Sequence, residues 1–126
     1  MDLVDMIYAI ARRFPAEEIY GLRSQITRAA VSVPANIAEG QSRSTSKDFA
    51  NFLVTSRSSL MEVETLLTVA VRQGFTDEAS AAPSYSLITE LSKMIMTLRT
   101  RVLGQSRRRQ LLSTVHCPLL TGGSHG

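Results

Sequence analysis

Ser84–Val102, SYSLITELSKMIMTLRTRV, is the stretch that decides the fold. Within it Ile88, Leu91, Ile95, Leu98 and Val102 stand three, four, three and four residues apart. At roughly 100° per residue, that spacing keeps all five on one narrow helical stripe. Such a seam is how antiparallel helices meet in a bundle, so the stretch predicts a core-facing helix.

The preceding residues supply the partners for that seam. Thr76-Asp77-Glu78 has the composition of a helix start, and Pro83 follows closely. Residues 76–82 therefore read as a short turn or initial helix, with the main fourth helix starting at Ser84. Upstream, Phe49, Phe52, Leu53, Leu60, Val63, Leu67 and Ala70 mark a long third helix. Thr45 or Ser46 is its expected cap and Gly74 its end, while Ser56 and Ser59 are small enough to let backbones approach closely. Leu22, Ile26, Ala29, Val33 and Ile37 define a second helix, starting near Pro15 or Leu22 and stopping at Gly40. Pro34 lies inside it and is expected to bend it or break it locally. Leu3, Met6, Ile7, Ile10 and Phe14 share a face of a first helix over Asp2–Arg13, which Phe14-Pro15 closes.

No segment shows the alternation of a strand. The connections are short, so successive helices should be antiparallel neighbours. The fold class is all-α: an antiparallel up-and-down four-helix bundle over residues 1–104, with helix two bent near Pro34. Beyond Leu103-Gly104 the apolar pattern decays. Residues 105–126, with Arg107-Arg108-Arg109 and Pro118, are expected to form a mobile basic tail.

The chain has 126 residues, enough for one domain with a real core. Aromatics are only 6% and Trp is absent, so that core must be mostly aliphatic. Cys117 is the single cysteine and has no internal disulfide partner, in keeping with a reducing compartment. Asp2 and Asp5 replace the basic start of a signal peptide, and no run approaches the ~20 apolar residues of a membrane span. The cytoplasm is the expected location, with no membrane partner. The formal net charge of +3 is mild, but Arg99, Arg101, Arg107, Arg108 and Arg109 follow one another with no acid between them. A basic end of this kind meets nucleic acid, or simply keeps a helix end solvated and complements its dipole.

Catalytic constellations are missing. A di-metal bundle needs inward-facing Glu-x-x-His pairs, yet both histidines, His116 and His125, lie near the C-terminus. Glu62 and Glu64 are two apart and point to different sides of a helix. There is no Gly-rich phosphate loop and no nucleophile elbow. No enzyme activity, no metal and no cofactor are expected.

Two blocks carry more than helical periodicity. One is Tyr20-Gly21-Leu22, Gln25-Ile26, Arg28-Ala29-Ala30 and Ser32-Val33-Pro34-Ala35-Asn36-Ile37-Ala38-Glu39-Gly40; the other is Ser59-Leu60-Met61-Glu62-Val63-Glu64. With Arg43 and Phe49–Leu53 they resemble the four-helix-bundle proteins related to 23S ribosomal RNA intervening-sequence proteins, over Leu3 to about Val102. The chain is also similar to accessory proteins of diversity-generating retroelements. The resemblance implies a bacterial, cytosolic, non-enzymatic bundle that forms closed rings, notably pentamers, and in some relatives binds nucleic acid. The chain departs from the pattern in starting directly at the first helix, in Gln41 where an aromatic is usual, and at Pro83.

The marked residues have competing readings. Arg23, Arg28 and Arg43 can line a nucleic-acid surface through phosphate contacts. No aromatics are interleaved with them, which argues against base stacking. Glu39 and Glu62 can pair with Arg28 or Arg43, or stay solvated. Asn36 either shapes a functional surface with Pro34 or, in the favoured reading, satisfies the carbonyl that Pro34 frees. Second apolar faces at Val4 and Tyr8, Val31 and Ala35, and Leu66 and Val69 predict a homo-oligomer. RNA or DNA, or a protein partner for which the chain is an adaptor, are the expected partners.

Overall fold

The computed structural model describes residues 2–122 and is built from helices alone within them. The elements are α1 (Asp2–Ala11), a short 3-10 turn (Ala16–Glu18), α2 (Leu22–Gln41), α3 (Ser46–Arg72) and α4 (Glu78–Gly122). Consecutive long helices pack side by side, giving the expected all-α four-helix bundle.

The periodic residues fill its core. Leu3, Ile7, Ile26, Val33, Leu53, Leu60, Val63, Leu67 and Ile88 are completely buried, and Ile95 and Val102 nearly so. Burying each such aliphatic side chain contributes about 1.5–3 kcal/mol, so the bundle needs no staple. Leu91 and Leu98 of the seam are only partly buried against this cluster.

Each helix end has a local cause. Phe14 is buried after α1, and its ring lies 5.8 Å from that of Phe75, which ties the first turn of chain to the α3–α4 connection. The Leu22 backbone N–H donates to the Glu18 carboxylate at 3.3 Å as α2 begins. Thr45 caps α3 by accepting from the Asp48 N–H at 3.1 Å. Gly74 closes α3 with φ +77°, and the Phe75 N–H donates to the Ala70 carbonyl at 2.9 Å, while the Gly74 N–H donates to Val71. That pair of bonds is the Schellman motif, which needs a residue at ease in the left-handed region. Asp77 caps α4 by accepting from the Ser80 N–H at 2.7 Å.

Four expectations at helix boundaries change. α1 ends at Ala11 rather than Arg13, and the next residues close in tight turns. α2 does not stop at Gly40. Gly40 is buried in its last turn, where a Cβ would lie 2.8 Å from Phe52 Cβ and 2.9 Å from Phe49 Cδ1. This glycine is required by the close approach of α2 and α3, not by a turn. α4 is one helix through Pro83, not a short helix followed by a second start. Pro83 and Ala79, whose carbonyl loses the Pro83 donor, are both exposed. Water can take the freed carbonyl, while burial of Ala81 and Ile88 holds the helix on course. Nor does the helix end at Leu103-Gly104, since its backbone continues to Gly122. A glycine inside a helix costs only about 1 kcal/mol, too little to stop one flanked by Arg, Gln and Leu.

α2 also runs through Pro34 without interruption. The surroundings of Pro34 are a polar lock on α3. Ser56, fully buried, donates to the Val33 carbonyl at 2.8 Å. Ser32 and Ser59 hydroxyls meet at 2.7 Å, and the Asn36 amide donates to the Ser32 carbonyl at 2.8 Å and hydroxyl at 2.9 Å. Small side chains with one hydroxyl each permit the close approach and satisfy the polar groups it buries.

Candidate nucleic-acid interface

The contacts between helices set the levels of the bundle. The Arg57 side chain donates from Nε to the Ser92 hydroxyl at 3.1 Å, and Thr68 and Tyr85 hydroxyls meet at 2.8 Å. α3 and α4 are therefore antiparallel, and the start of α3 at Ser46 lies beside roughly residue 103 of α4, counting equal rises. Gly40 against Phe49 and Phe52 puts the end of α2 at nearly the same level. Past that level α4 continues alone for about 28 Å, at 1.5 Å per residue to Gly122.

Arg107 and Arg108 belong to this part of α4, whereas Arg99 and Arg101 lie within the turn before it. Arg99 is half-buried, and Arg101, Arg107 and Arg108 are exposed. Arg101 and Arg108 are seven residues apart and so share a face, with Arg107 next to it. The Arg109 side chain lies outside the described residues, as do those of His116, Cys117 and His125. From Arg99 to the C-terminus the sequence contains no acidic residue.

The other arginines do not converge. Arg23 and Arg43 are twenty positions apart along α2 and its exit, a separation of about 30 Å if helical throughout. Arg43 is already engaged: its guanidinium meets the Glu39 carboxylate at 2.6 Å and lies 4.8 Å from the centre of the Phe52 ring. Half-exposed at both ends, that i,i+4 pair contributes about 0.3–0.5 kcal/mol. It is the only ion pair among the described residues. Arg28 donates to the Ser24 hydroxyl at 3.0 Å. Arg28 and Glu62 line one shallow depression with Gln25, Ser32 and Ser59, without an ion pair.

Asn36 faces the α2–α3 lock. It does not cover the carbonyl freed by Pro34, which belongs to Ala30, because its amide bonds Ser32 instead. The reason is register: Asn36 reaches back one turn, to position 32. Lys47, Lys93 and Arg57 add further cations on the exposed faces of α3 and α4. No local motif distinguishes these from ordinary solvated charges.

Of the second apolar faces, Tyr8, Val31 and Val69 are 39%, 42% and 39% exposed, and Ala35 is exposed too. Val4 is half-buried, and Leu66 packs against the core. Among the described residues no group of three or more His, Cys, Asp or Glu is placed to hold a metal ion. Nor is any helix among them long and apolar enough to cross a membrane.

A protein-family model described as 23S rRNA-intervening sequence protein matches residues 1–97. No curated protein matches the chain. The match spans α1 through the first part of α4, to residue 97, and the chain belongs to this family.

Proposed function

We propose that this member of the 23S rRNA-intervening sequence protein family is a non-enzymatic bundle that grips the phosphate backbone of RNA or DNA through the protruding part of α4 and the turn before it. The observation that carries this reading is the placement of Arg101, Arg107 and Arg108. All three are exposed on a helix that continues past the other three, in a stretch without a single acid. Guanidinium groups bind phosphate oxygens in two-pronged fashion, and each such contact releases condensed counterions. Arg43 and Arg28 are secondary contributors, since both already have partners in their own chain. With no aromatics among the arginines, recognition is by charge and shape rather than by base stacking.

Self-association completes the proposal. Exposed Tyr8, Val31 and Val69 on three different helices favour burial against other copies. The resemblance favours a closed ring, notably a pentamer. Ring assembly brings several arginine-bearing helices to one ligand and raises avidity without any new contact. Binding to RNA also fits a cytoplasmic location.

The test is fluorescence anisotropy of a labelled RNA hairpin with the full chain, between about 50 and 200 mM salt. Four phosphate contacts, from Arg101 and Arg107 to Arg109, give a slope of log K against log salt of about −3.6 on duplex. Charge reversal at Arg107, Arg108 and Arg109 should remove most of that slope, and reversal at Arg28 and Arg43 should weaken binding less. Unchanged affinity in both variants would sink the proposal and favour an adaptor that contacts a protein instead.

A further inference from the structure

At the end of the bundle where α4 begins, Met6, Ala9 and Ile10 of α1 and Arg13 just beyond it face Ser80, Pro83 and Ser84 of α4 across a cleft of about 300 Å³. Small-molecule sites begin at about this volume, with mostly apolar walls and a few convergent polar groups. Here the apolar walls are Met6, Ala9, Ile10 and Pro83, and Arg13 is the only charged residue of the lining. The cleft lies about 35 Å along α4 from Arg107, at 1.5 Å per residue.

Ser84 sets this cleft apart. It stands on the core seam, three residues after Ala81 and four before Ile88, and is 1% exposed. Its hydroxyl oxygen is buried and has no hydrogen-bond partner. The bundle's other buried polar side chain, Ser56, donates to the Val33 carbonyl at 2.8 Å. Thr65, Thr68 and Thr89 each return a hydroxyl to the carbonyl four residues back, and Ser84 makes no such bond. Buried hydroxyls almost always have a partner, and an alanine here would fill the seam with no polar cost. Arg13 has no ion-pair partner either, since the one pair among the described residues is Arg43 with Glu39. The acid that feels its charge, Asp77, gives its carboxylate to the Ser80 N–H at 2.7 Å.

We propose that this cleft binds a small organic carboxylate with a short apolar body. Its charge follows from Arg13, whose planar guanidinium matches a carboxylate in two-pronged fashion. Its two oxygens offer about four lone pairs, enough for Arg13 and for the Ser84 hydroxyl, which donates to the acid and so gains the partner it lacks. Its apolar body follows from Met6, Ile10 and Pro83, and the volume limits that body to a short chain or a single ring. Met6 is unbranched and half-buried, so it gives way where the acid reaches the Ser84 oxygen. Inorganic phosphate satisfies Arg13 but leaves the apolar walls wet. An amine sets its charge against Arg13, and a purely apolar molecule leaves Ser84 unpartnered.

The test titrates the full chain with hexanoate, hexylammonium and inorganic phosphate, reading the Met6 and Ile10 methyl resonances by NMR. Hexanoate should give saturable shifts at both methyls, and the other two probes should bind at least about tenfold more weakly. Arg13→Gln, a change at an exposed site, should weaken hexanoate about tenfold while leaving helicity and RNA binding unchanged. Ser84→Ala should weaken hexanoate by a similar factor, yet raise the Tm of the free protein, because it removes a buried hydroxyl that has no partner. That opposite movement of binding and stability separates a ligand-binding hydroxyl from one that merely packs. No saturable shift, equal binding of hexanoate and hexylammonium, or full retention in Arg13→Gln overturns the proposal. So does a Ser84→Ala variant that keeps hexanoate affinity, or one whose free form loses stability.

Discussion

Replacing Gly40 by alanine probes the α2–α3 approach directly. In an open helical position Gly→Ala stabilises by up to about 1 kcal/mol, because alanine loses less backbone freedom on folding. At Gly40 the new methyl would stand 2.8 Å from Phe52 Cβ and 2.9 Å from Phe49 Cδ1. Carbon atoms prefer about 3.5–4.0 Å, so the methyl is too close by well over half an ångström. The Phe49 ring can turn aside, but Phe52 Cβ is fixed to the α3 backbone. The helices must therefore separate at this end, and with them the contacts that Gly40 makes possible. Overpacking of this kind costs about 1–3 kcal/mol, so after the helix gain the variant should lose about 1–2 kcal/mol. For a domain of this length that lowers Tm by roughly 4–8 °C. Gly104→Ala is the matched control, since its Cβ would meet nothing within 4 Å. It should gain up to about 1 kcal/mol. Urea denaturation of both variants by circular dichroism, at one protein concentration, reads the difference. A Gly40→Ala variant as stable as Gly104→Ala would refute the close-approach account of this glycine.

Ser56→Ala should cost about 1 kcal/mol, the net worth of its buried hydrogen bond to the Val33 carbonyl at 2.8 Å, measured by the same denaturation. Gly74→Ala should destabilise by about 1–2 kcal/mol, because φ +77° is strained for any residue with a Cβ; no change would mean that the α3 exit re-forms without the Schellman turn. The hydrogen bonds from Ser80 hold the Asp77 carboxyl below its ordinary value. A lowered folded-state pKa means that this cap stabilises above the unfolded-state pKa and is lost as pH falls through the folded one. Asp77→Asn keeps a capping side chain but cannot titrate, so its Tm should fall less than the parent's as pH drops through the acid range. Parallel acid titration curves would remove Asp77 from the account.

Much of the fold was legible because core positions in a helix repeat at 3.6 residues, and that repeat survives in one dimension. Leu22, Ile26 and Val33, or Leu53, Leu60 and Val63, announce their shared face without any knowledge of what lies opposite. Caps such as Thr45, and the Gly74 stop, are equally local and were readable for the same reason. The candidate arginines were legible as a composition, since the acid-free run from Arg99 needs no geometry to be noticed.

What lies opposite was decided only by the tertiary structure. Gly40 resembles a helix stop in sequence, and only the approach of Phe49 and Phe52 makes it a packing residue. Pro83 resembles a break, but burial of Ala81 and Ile88 on the other face outweighs its lost hydrogen bond. Asn36 and Ser56 find their partners by register and across helices. The level at which α4 outruns α2 and α3 follows from their unequal lengths and from the contacts that fix the register of α3 on α4. A one-dimensional pattern carries the face of a helix. The level at which helices meet, and where one of them gives out, belongs to the packed molecule, because those depend on distances between residues far apart in the chain.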